Sequence, residues 1–332
     1  MIALNLPQLD LALHAAQTRL AALQADPRTT AYRLLDDEAG GVTLDRYGTD
    51  WVLNLLPDLD PDDPLATTRA VELGSVLAQH VGAKLSARAV FLKVRPRQAN
   101  TLVDAKAAGL TPLLPVFGAA PTEPLTILEN GIRFGVQLGD GLPTGIYLDQ
   151  RANRLWLREH ARGQRVLNTF CYTAAFSVAA AVGGAKLTVS IDAAQPALTQ
   201  ARANFLLNGI DDAKQHDLIR GNVLTWLPKL ARRGDRFDVV VLDPPSYANV
   251  DGKRFQAGRD YPELVASALT VLAPGGRVLA CINHAGIDGR RFQHSVQEGA
   301  RLAGRAVLSA TTLPQPIDFA SGRMKAVLLE VR

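Results

Sequence analysis

The stretch Phe237–Tyr247, FDVVVLDPPSY, decides the fold because its character changes abruptly after four apolar residues. Residues 239–242 are apolar on both faces, which is typical of a strand buried in the middle of a parallel sheet. Asp243, Pro244 and Pro245 then end the strand, since proline lacks an amide hydrogen and restricts φ. Ligands bind at this edge of open α/β sheets, although ordinary turn chemistry explains the same residues equally well.

Strands alternate with helices on both sides of this stretch. The predicted strands are 165–170, 187–192, 217–221, 237–242 and 277–282, each followed by a predicted helix. Alternation of this length predicts an α/β protein with a Rossmann-like doubly wound sheet. Two further strands, 306–313 and 324–331, have no helix between them, so the last pair is predicted to be antiparallel.

A smaller α+β domain is predicted before this sheet, since 332 residues exceed a typical single core. Residues 1–122 contain a helical pattern over 8–25, strand and turn signals over 32–56, a helix near 67–81 and strands at 89–94 and 113–116. FGAAPTEPL, residues 117–125, is interpreted as the linker. The second domain then covers 126–332 and opens with a hairpin whose turn is Asn130-Gly131.

Composition places the chain among ordinary globular proteins, with 47% hydrophobic and 20% charged residues. No stretch resembles a membrane span or a signal peptide, so we expect a cytoplasmic protein with no membrane or metal partner. Cys171 and Cys281 lie in apolar surroundings and are predicted to be buried free thiols. A net charge of +4 permits nucleic-acid binding without requiring it. The oligomeric state, monomer or homodimer, stays open.

Polar residues follow successive predicted strands and suggest a cofactor site. The turn after the first strand, LNTFCYTAAFS (Leu167–Ser177), lacks the G-x-G-x-x-G fingerprint, which argues against NAD or FAD. Asp192 stands where a carboxylate accepts hydrogen bonds from ribose hydroxyls, and Asn222 stands where a side chain can reach adenine. A helix cap explains Asp192 or Asn222 individually. Polar groups at four successive strand ends, namely the first turn, Asp192, Asn222 and Asp243, are harder to explain by capping.

At this point the chain resembles the class I methyltransferases that modify bacterial large-subunit (23S) ribosomal RNA. The resemblance rests on VLNTFCYTAAFSVAAAVGGA, SID, NFLLNGI, FDVVVLDPPSYAN with a following KR, LAPGGRVLACINH, TGIYLDQRANR and RLLDDEAGGVTLDRYG. The closing antiparallel pair also fits this class rather than nicotinamide dehydrogenases. The resemblance implies S-adenosylmethionine as cofactor, with a site formed by Gln150, Arg151, Phe170, Tyr172, Thr173, Asp192, Asn222 and Asp243.

Three departures from that pattern stand out. The family usually has glycine where Ala174 or Ala175 stands and aspartate where Asn222 stands, so cofactor affinity is in question. Many relatives carry an N-terminal RNA-binding PUA domain, which we expect to be missing here. That departure weakens the RNA assignment more than the methyltransferase assignment.

Which base atom is methylated depends on whether a cysteine can reach the RNA base. Cytosine C5 is not nucleophilic, so its methylation needs a thiolate, whereas guanine N7 has a lone pair and needs only positioning. In the cytosine-methylating relatives the cysteine falls where this chain has Asn283, and Cys281 is interpreted as a structural thiol. The guanine N7 relatives resemble this chain better, because they share the asparagine and the KR pair.

The resulting hypothesis is an RNA base methyltransferase that favours guanine N7 over cytosine C5. Asp243 and Pro244 would hold a flipped base, Asn283 would orient it, and Tyr247 would stack on it. Lys253, Arg254 and the cluster Lys93–Arg97 are candidate phosphate contacts. Two alternatives remain: methylation of a small molecule or protein, and a non-catalytic RNA-binding protein that retains a degenerate methyltransferase fold.

Overall fold

The structure is a computed structural model that describes residues 6–37, 40–59, 63, 65–96, 109–139, 141–250, 253–284 and 286–332. Only the backbone is described for residues 248–250, 253 and 254. The chain forms two compact units: residues 1–148 with 317–321, and residues 149–316 with 322–332. No helix in the described ranges is both long enough and apolar enough to cross a lipid bilayer.

The first unit is a mixed sheet packed with helices, which confirms the predicted α+β class. Its five-stranded sheet has the order β1-β2-β3-β4-β5, with β3 and β4 parallel and the other neighbours antiparallel. The predicted helix over 8–25 is two helices that meet at buried Leu20. The elements are α1 (Leu6–Arg19), α2 (Ala21–Ala25), β1 (Ala31–Asp36), β2 (Val42–Tyr47), β3 (Asp50–Leu55), α3 (Ala66–Lys84), β4 (Ala89–Val94), β5 (Phe117–Gly118), β6 (Leu125–Glu129) and β7 (Ile132–Val136).

The boundary between the units differs from the predicted linker. Phe117 and Gly118 form β5 and pair with β4, so the segment read as a linker begins inside the first sheet. The strand predicted at 113–116 is wrong, since no strand forms there. The hairpin β6–β7 has the predicted turn, with φ of +50° at Asn130 and +82° at Gly131, and it belongs to the first unit.

The second unit is the predicted doubly wound sheet. Seven strands lie in the order β10-β9-β8-β11-β14-β16-β15, and β16 runs antiparallel to both of its neighbours, as predicted. The elements are a 3-10 turn (Leu148–Gln150), α4 (Arg151–His160), β8 (Arg165–Thr169), α5 (Ala175–Val182), β9 (Leu187–Asp192), α6 (Gln195–Leu207), β10 (His216–Arg220), α7 (Val223–Arg233), β11 (Phe237–Leu242), β12 (Tyr247–Val250), β13 (Lys253–Gln256), α8 (Ala257–Leu269), β14 (Leu272–Asn283), α9 (Gly289–Leu302), β15 (Val307–Thr312) and β16 (Met324–Val331).

The central strand β11 is buried as its sequence predicts. Val239, Val240, Val241 and Leu242 are at most 2% exposed and pair with β8 on one side and β14 on the other. Helices cover both faces of the sheet, because such strands bury apolar side chains on each side. The carboxyl ends of β8, β9, β10, β11 and β14 therefore share one edge. The predicted residues at that edge are Phe170, Asp192, Asn222, Asp243 and Asn283.

Candidate active site

The turn after β8 is held in an unusual backbone conformation. Phe170, Tyr172 and Ala174 all have positive φ, at +52°, +50° and +57°. Non-glycine residues rarely adopt this region. Ala174 is fully buried and occupies the N-cap position of α5, so a non-glycine residue holds a conformation that glycine adopts without strain. The N–H groups of Cys171, Tyr172 and Ala174 are held by Ile191, Asp192 and Cys171, so internal hydrogen bonds fix the shape of the turn.

Asp192 fastens this turn to the end of β9. Its Oδ2 accepts the backbone N–H of Tyr172 at 2.8 Å, and its Oδ1 accepts that of Ala194 at 2.9 Å. Each carboxylate oxygen has a second lone pair, so the group can still accept hydrogen bonds from two hydroxyls. Asp192 is partly exposed, which leaves it accessible to a ligand.

Asn204 supports this turn, and it was not predicted as a site residue from the sequence. It lies on α6, fully buried, and its Nδ2 donates to the carbonyl of Thr173 at 3.0 Å. Thr173 is itself buried, whereas Phe170 is partly exposed and stacks on Phe255 of β13 with a centroid distance of 6.4 Å. A polar residue on the otherwise apolar face of α6 was the available signal for Asn204.

Asn222 occupies the cap position that the sequence left as an alternative. Its Oδ1 accepts the N–H of Leu224 at 3.0 Å and caps α7. An asparagine can cap a helix through its oxygen and still donate through its amide nitrogen. The cap and the predicted contact with adenine are therefore compatible.

Asp243 follows β11 in an environment that disfavours its charge. Burial is the main cause that raises the pKa of Asp243 to about 7, and the negative charge of Asp149 raises it further. A hydrogen bond from Gln150 and the charge of Arg154 act in the opposite direction. Asp243 is nevertheless partly exposed as a residue, so a carboxyl with a raised pKa lies at an edge of the sheet that a ligand can reach.

Tyr261 of α8 braces the strand ends beside Asp243. Its hydroxyl lies 3.1 Å from the carbonyl oxygen of Leu242 and 2.9 Å from that of Cys281, and it donates its proton there. The ring is 1% exposed and packs edge-on against Phe292. Because β11 and β14 are neighbours in the sheet, this one side chain ties together the two strands that carry Asp243 and Asn283.

Gln150 and Arg151 are less available than predicted. Gln150 is 1% exposed, and its Nε2 lies 3.4 Å from the sulfur of Met324 while its Oε1 accepts Asn153 Nδ2 at 2.6 Å. Arg151 is 7% exposed. Gln150 hydrogen-bonds to Asp243, which indicates a role in supporting that carboxyl, and its contact with the cofactor stays a prediction.

Asn283 ends β14 and is exposed, as a residue that touches a base must be. Its Nδ2 donates to Oδ2 of Asp149 at 3.0 Å, and its carbonyl oxygen lies 3.3 Å from the hydroxyl of Ser246. Asp149 was not singled out from the sequence, although it stands in the LDQR segment. The structure thus brings Asp149, Asp243 and Asn283 to one edge of the sheet.

Both cysteines are buried and free, as predicted. Cys281 is fully buried inside β14, and burial raises the pKa of its thiol well above the usual value, as it does for Cys171. The nearby charge of Asp243 raises the pKa of Cys281 further. Neither cysteine is therefore suited to act as an exposed thiolate.

The predicted substrate contacts are brought together only in part. Tyr247 is 42% exposed at the start of β12, next to the D-P-P turn. Lys253 and Arg254 lie in β13, and their side chains, like the whole of Arg97, are outside the described residues. The prediction that Lys93 contacts phosphate is wrong. Lys93 is 1% exposed, and its ammonium donates to the carbonyls of Leu142 and Pro143.

The site suits an adenosine ligand without phosphates. The turn after β8 lacks the glycines that let a pyrophosphate approach, and the Asp192 carboxylate matches a pair of ribose hydroxyls. The sheet order with an antiparallel last strand, together with polar residues at consecutive strand ends, defines a class I methyltransferase. The cofactor of this class is S-adenosylmethionine, and the partly exposed Asp192 carboxylate fits the ribose of that ligand.

The chain belongs to the S-adenosylmethionine-dependent methyltransferase family, whose model matches residues 113–328. It is 33% identical over 309 residues to a protein of Klebsiella pneumoniae named ribosomal RNA large subunit methyltransferase I, covering 92% of this chain and 73% of that one. A protein of the same name from Aeromonas hydrophila is 40% identical over 208 residues, 62% of this chain and 52% of its own length. The chain thus aligns with about half of that relative.

A solved structure is similar over the whole chain. The crystal structure of SMU.776 complexed with SAH superposes with a TM-score of 0.82 at 30% identity, covering 100% of this chain and 83% of that one. The likeness supports the fold described above as well as the family.

Proposed function

We propose that this methyltransferase acts on a base of large-subunit ribosomal RNA, and that it methylates guanine N7 in preference to cytosine C5. The names of the relatives support the RNA substrate. The observation that carries the choice of atom is the end of β14, where Asn283 is exposed and Cys281, two residues earlier in the same strand, is fully buried. Methylation of cytosine C5 needs a thiolate at the base, and guanine N7 does not.

The acceptor groups at the site also favour guanine. Asn283 gives its amide nitrogen to Asp149, which leaves its oxygen as an acceptor, and ionised Asp243 is an acceptor only. The Watson–Crick edge of guanine carries adjacent donors, N1–H and N2–H, while cytosine presents an acceptor at N3. A guanine held by that edge keeps N7, on its opposite edge, free for methylation.

The residues then take the following roles. Asp243 and Pro244 hold the flipped base, Asn283 orients it, and Tyr247 stacks on it. Lys253 and Arg254 contact phosphates, and the N-terminal domain contributes to substrate recognition. S-adenosylmethionine supplies the methyl group from its sulfonium. The cofactor is held by Gln150, Arg151, Phe170, Tyr172, Thr173, Asp192, Asn222 and Asp243.

A methyl-transfer assay with radiolabelled S-adenosylmethionine tests this proposal. Large-subunit rRNA transcript is the substrate, small-subunit rRNA and bulk protein are the controls, and the product nucleoside is identified by mass spectrometry. We expect 7-methylguanosine, and we expect Cys281→Ala to retain transfer within about threefold, because no covalent step uses the thiol. Loss of activity in Cys281→Ala together with 5-methylcytidine would overturn the choice of atom. Methylation of protein alone would overturn the RNA substrate.

A further inference from the structure

Asp149 has no assigned role, yet it contacts one predicted base-binding residue and acts electrostatically on the other. Its Oδ2 accepts Nδ2 of Asn283 at 3.0 Å, and its negative charge acts on Asp243. It lies in the 3-10 turn just before α4, within the same unit as both partners. A single carboxylate therefore acts on the two groups proposed to contact the base.

The hydrogen bond to Asp149 fixes which end of the Asn283 amide faces the carboxylate. An amide can present either its oxygen or its nitrogen to a neighbour, but an ionised carboxylate has acceptors only. Asn283 must therefore turn its nitrogen toward Asp149, which directs its oxygen away from Asp149. A neutral neighbour that both donates and accepts would tolerate either orientation.

We propose that Asp149 is a positioning residue that determines base specificity, because its carboxylate fixes the amide orientation of Asn283. This inference rests on the proposed function, since it specifies how that site selects a base. The charge of Asp149 also opposes ionisation of Asp243, so it raises the pH at which Asp243 becomes an acceptor only. With the Asn283 amide oriented and Asp243 ionised, the site presents acceptors from both residues. That pattern matches the donors on the Watson–Crick edge of guanine.

The effect of the Asp149 charge on the pKa of Asp243 can be separated from effects on packing. Asp243 is buried enough that its pKa is already raised, and Asp149 raises it further. The other groups that act on Asp243 are Gln150 of the 3-10 turn and Arg154 of α4, and both are kept in an Asp149 variant. Tyr261 of α8 and Cys281 of β14 also face Asp243, whose charge raises the pKa of each.

Asp149→Asn is the decisive variant because it keeps the shape and removes the charge. We expect the acid limb of kcat/KM for rRNA methylation to move about one pH unit lower, since a charge near Asp243 is lost. We also expect KM for the RNA to rise about tenfold, because Asn283 no longer has a fixed orientation. The dissociation constant of S-adenosylmethionine should stay within about threefold of the wild-type value, which also shows that the variant folds.

A double-mutant cycle isolates the action through Asn283. If Asp149 acts through the amide, Asp149→Asn should raise KM much less in an Asn283→Ala background than in the wild type. Equal effects in the two backgrounds would overturn the positioning role. The control Asp217→Ala removes an exposed carboxylate from β10 and should alter neither KM nor the pH profile.

A substrate-free measurement keeps this inference distinct from the proposed function. The Asp243 carboxyl can be titrated by carbon-13 NMR in the full-length wild type and in Asp149→Asn. We expect a lower midpoint in the variant, and an unchanged midpoint would overturn the electrostatic link whatever the substrate is. If instead the midpoint shifts while the wild type transfers no methyl to rRNA, the link stands, and the proposed function and base-specificity role fail.

Discussion

Replacing Asp192 by alanine tests the cofactor site most directly. The Asp192 carboxylate holds the turn after β8 through Tyr172 N and is proposed to accept two ribose hydroxyls. Alanine removes both functions, while the strand β9 that ends at this residue keeps its pairing with β8 through residues 187–191. The expected loss is therefore of ligand affinity rather than of the sheet.

The magnitude follows from the hydrogen bonds lost. A hydrogen bond to a charged group contributes about 1.5–3 kcal/mol, so two ribose contacts correspond to about 3–6 kcal/mol. Since every 1.4 kcal/mol is roughly tenfold in affinity, Asp192→Ala should weaken S-adenosylmethionine binding by about a hundredfold or more. Asp192→Asn keeps one acceptor oxygen and should lose about tenfold.

Calorimetric titration of the full chain with S-adenosylmethionine measures these values, and circular dichroism checks that each variant is folded. Asp217→Ala, which removes an exposed carboxylate from the neighbouring strand β10, should bind like the wild type. A folded Asp192→Ala protein that binds within threefold of the wild type would refute the assignment of the ribose contact.

Three further outcomes are expected from residues near the base. Tyr261→Phe keeps the packing but leaves the carbonyls of Leu242 and Cys281 without the tyrosine donor. The free energy of unfolding should fall by about 1–2 kcal/mol and Tm by roughly 2–8 °C; a variant that unfolds at the wild-type temperature would contradict the role of these hydrogen bonds. Asp243 has its folded pKa raised to about 7, so its ionisation costs stability progressively as pH rises from about 4 to 7. Denaturant unfolding should therefore show Asp243→Asn more stable than wild type at pH 8, by up to about 4 kcal/mol, with the difference vanishing near pH 4; a difference independent of pH would count against the raised pKa. Asn283→Ala should raise KM for rRNA about tenfold and leave S-adenosylmethionine binding unchanged; a parallel loss of both would place Asn283 in the cofactor site instead.

The sheet of the second unit could be predicted because its signals are local. Strand β11 is apolar on both faces and ends in Asp-Pro-Pro, and β9 ends at the predicted Asp192. The absence of a helix between β15 and β16 correctly predicted antiparallel pairing. Periodicity and turn residues act within a few positions of the chain, so one sequence was enough to identify them.

The parts that could not be predicted depend on contacts distant in sequence. Asp149 meets Asn283 across 134 positions, and Asn204 meets Thr173 across 31. Lys93 looked like a surface cation because basic neighbours surround it, but backbone carbonyls far along the chain take up its ammonium. The hairpin β12–β13 was also missed, since Lys253 and Arg254 were interpreted only as candidate phosphate contacts.

The loop between β15 and β16 has a consequence for how the protein is synthesised. Residues 317–321 belong to the first unit, where buried Asp318 accepts the N–H of Arg33 at 3.0 Å and Arg33 lies over the ring of Phe319. The ribosome must translate the 173 residues that separate positions 148 and 321 before this unit has all its parts. At about 5–20 residues per second, that wait is roughly 10–35 seconds. The first unit is thus completed only after most of the second unit has been synthesised, and until then Arg33 lacks its contacts with Asp318 and Phe319.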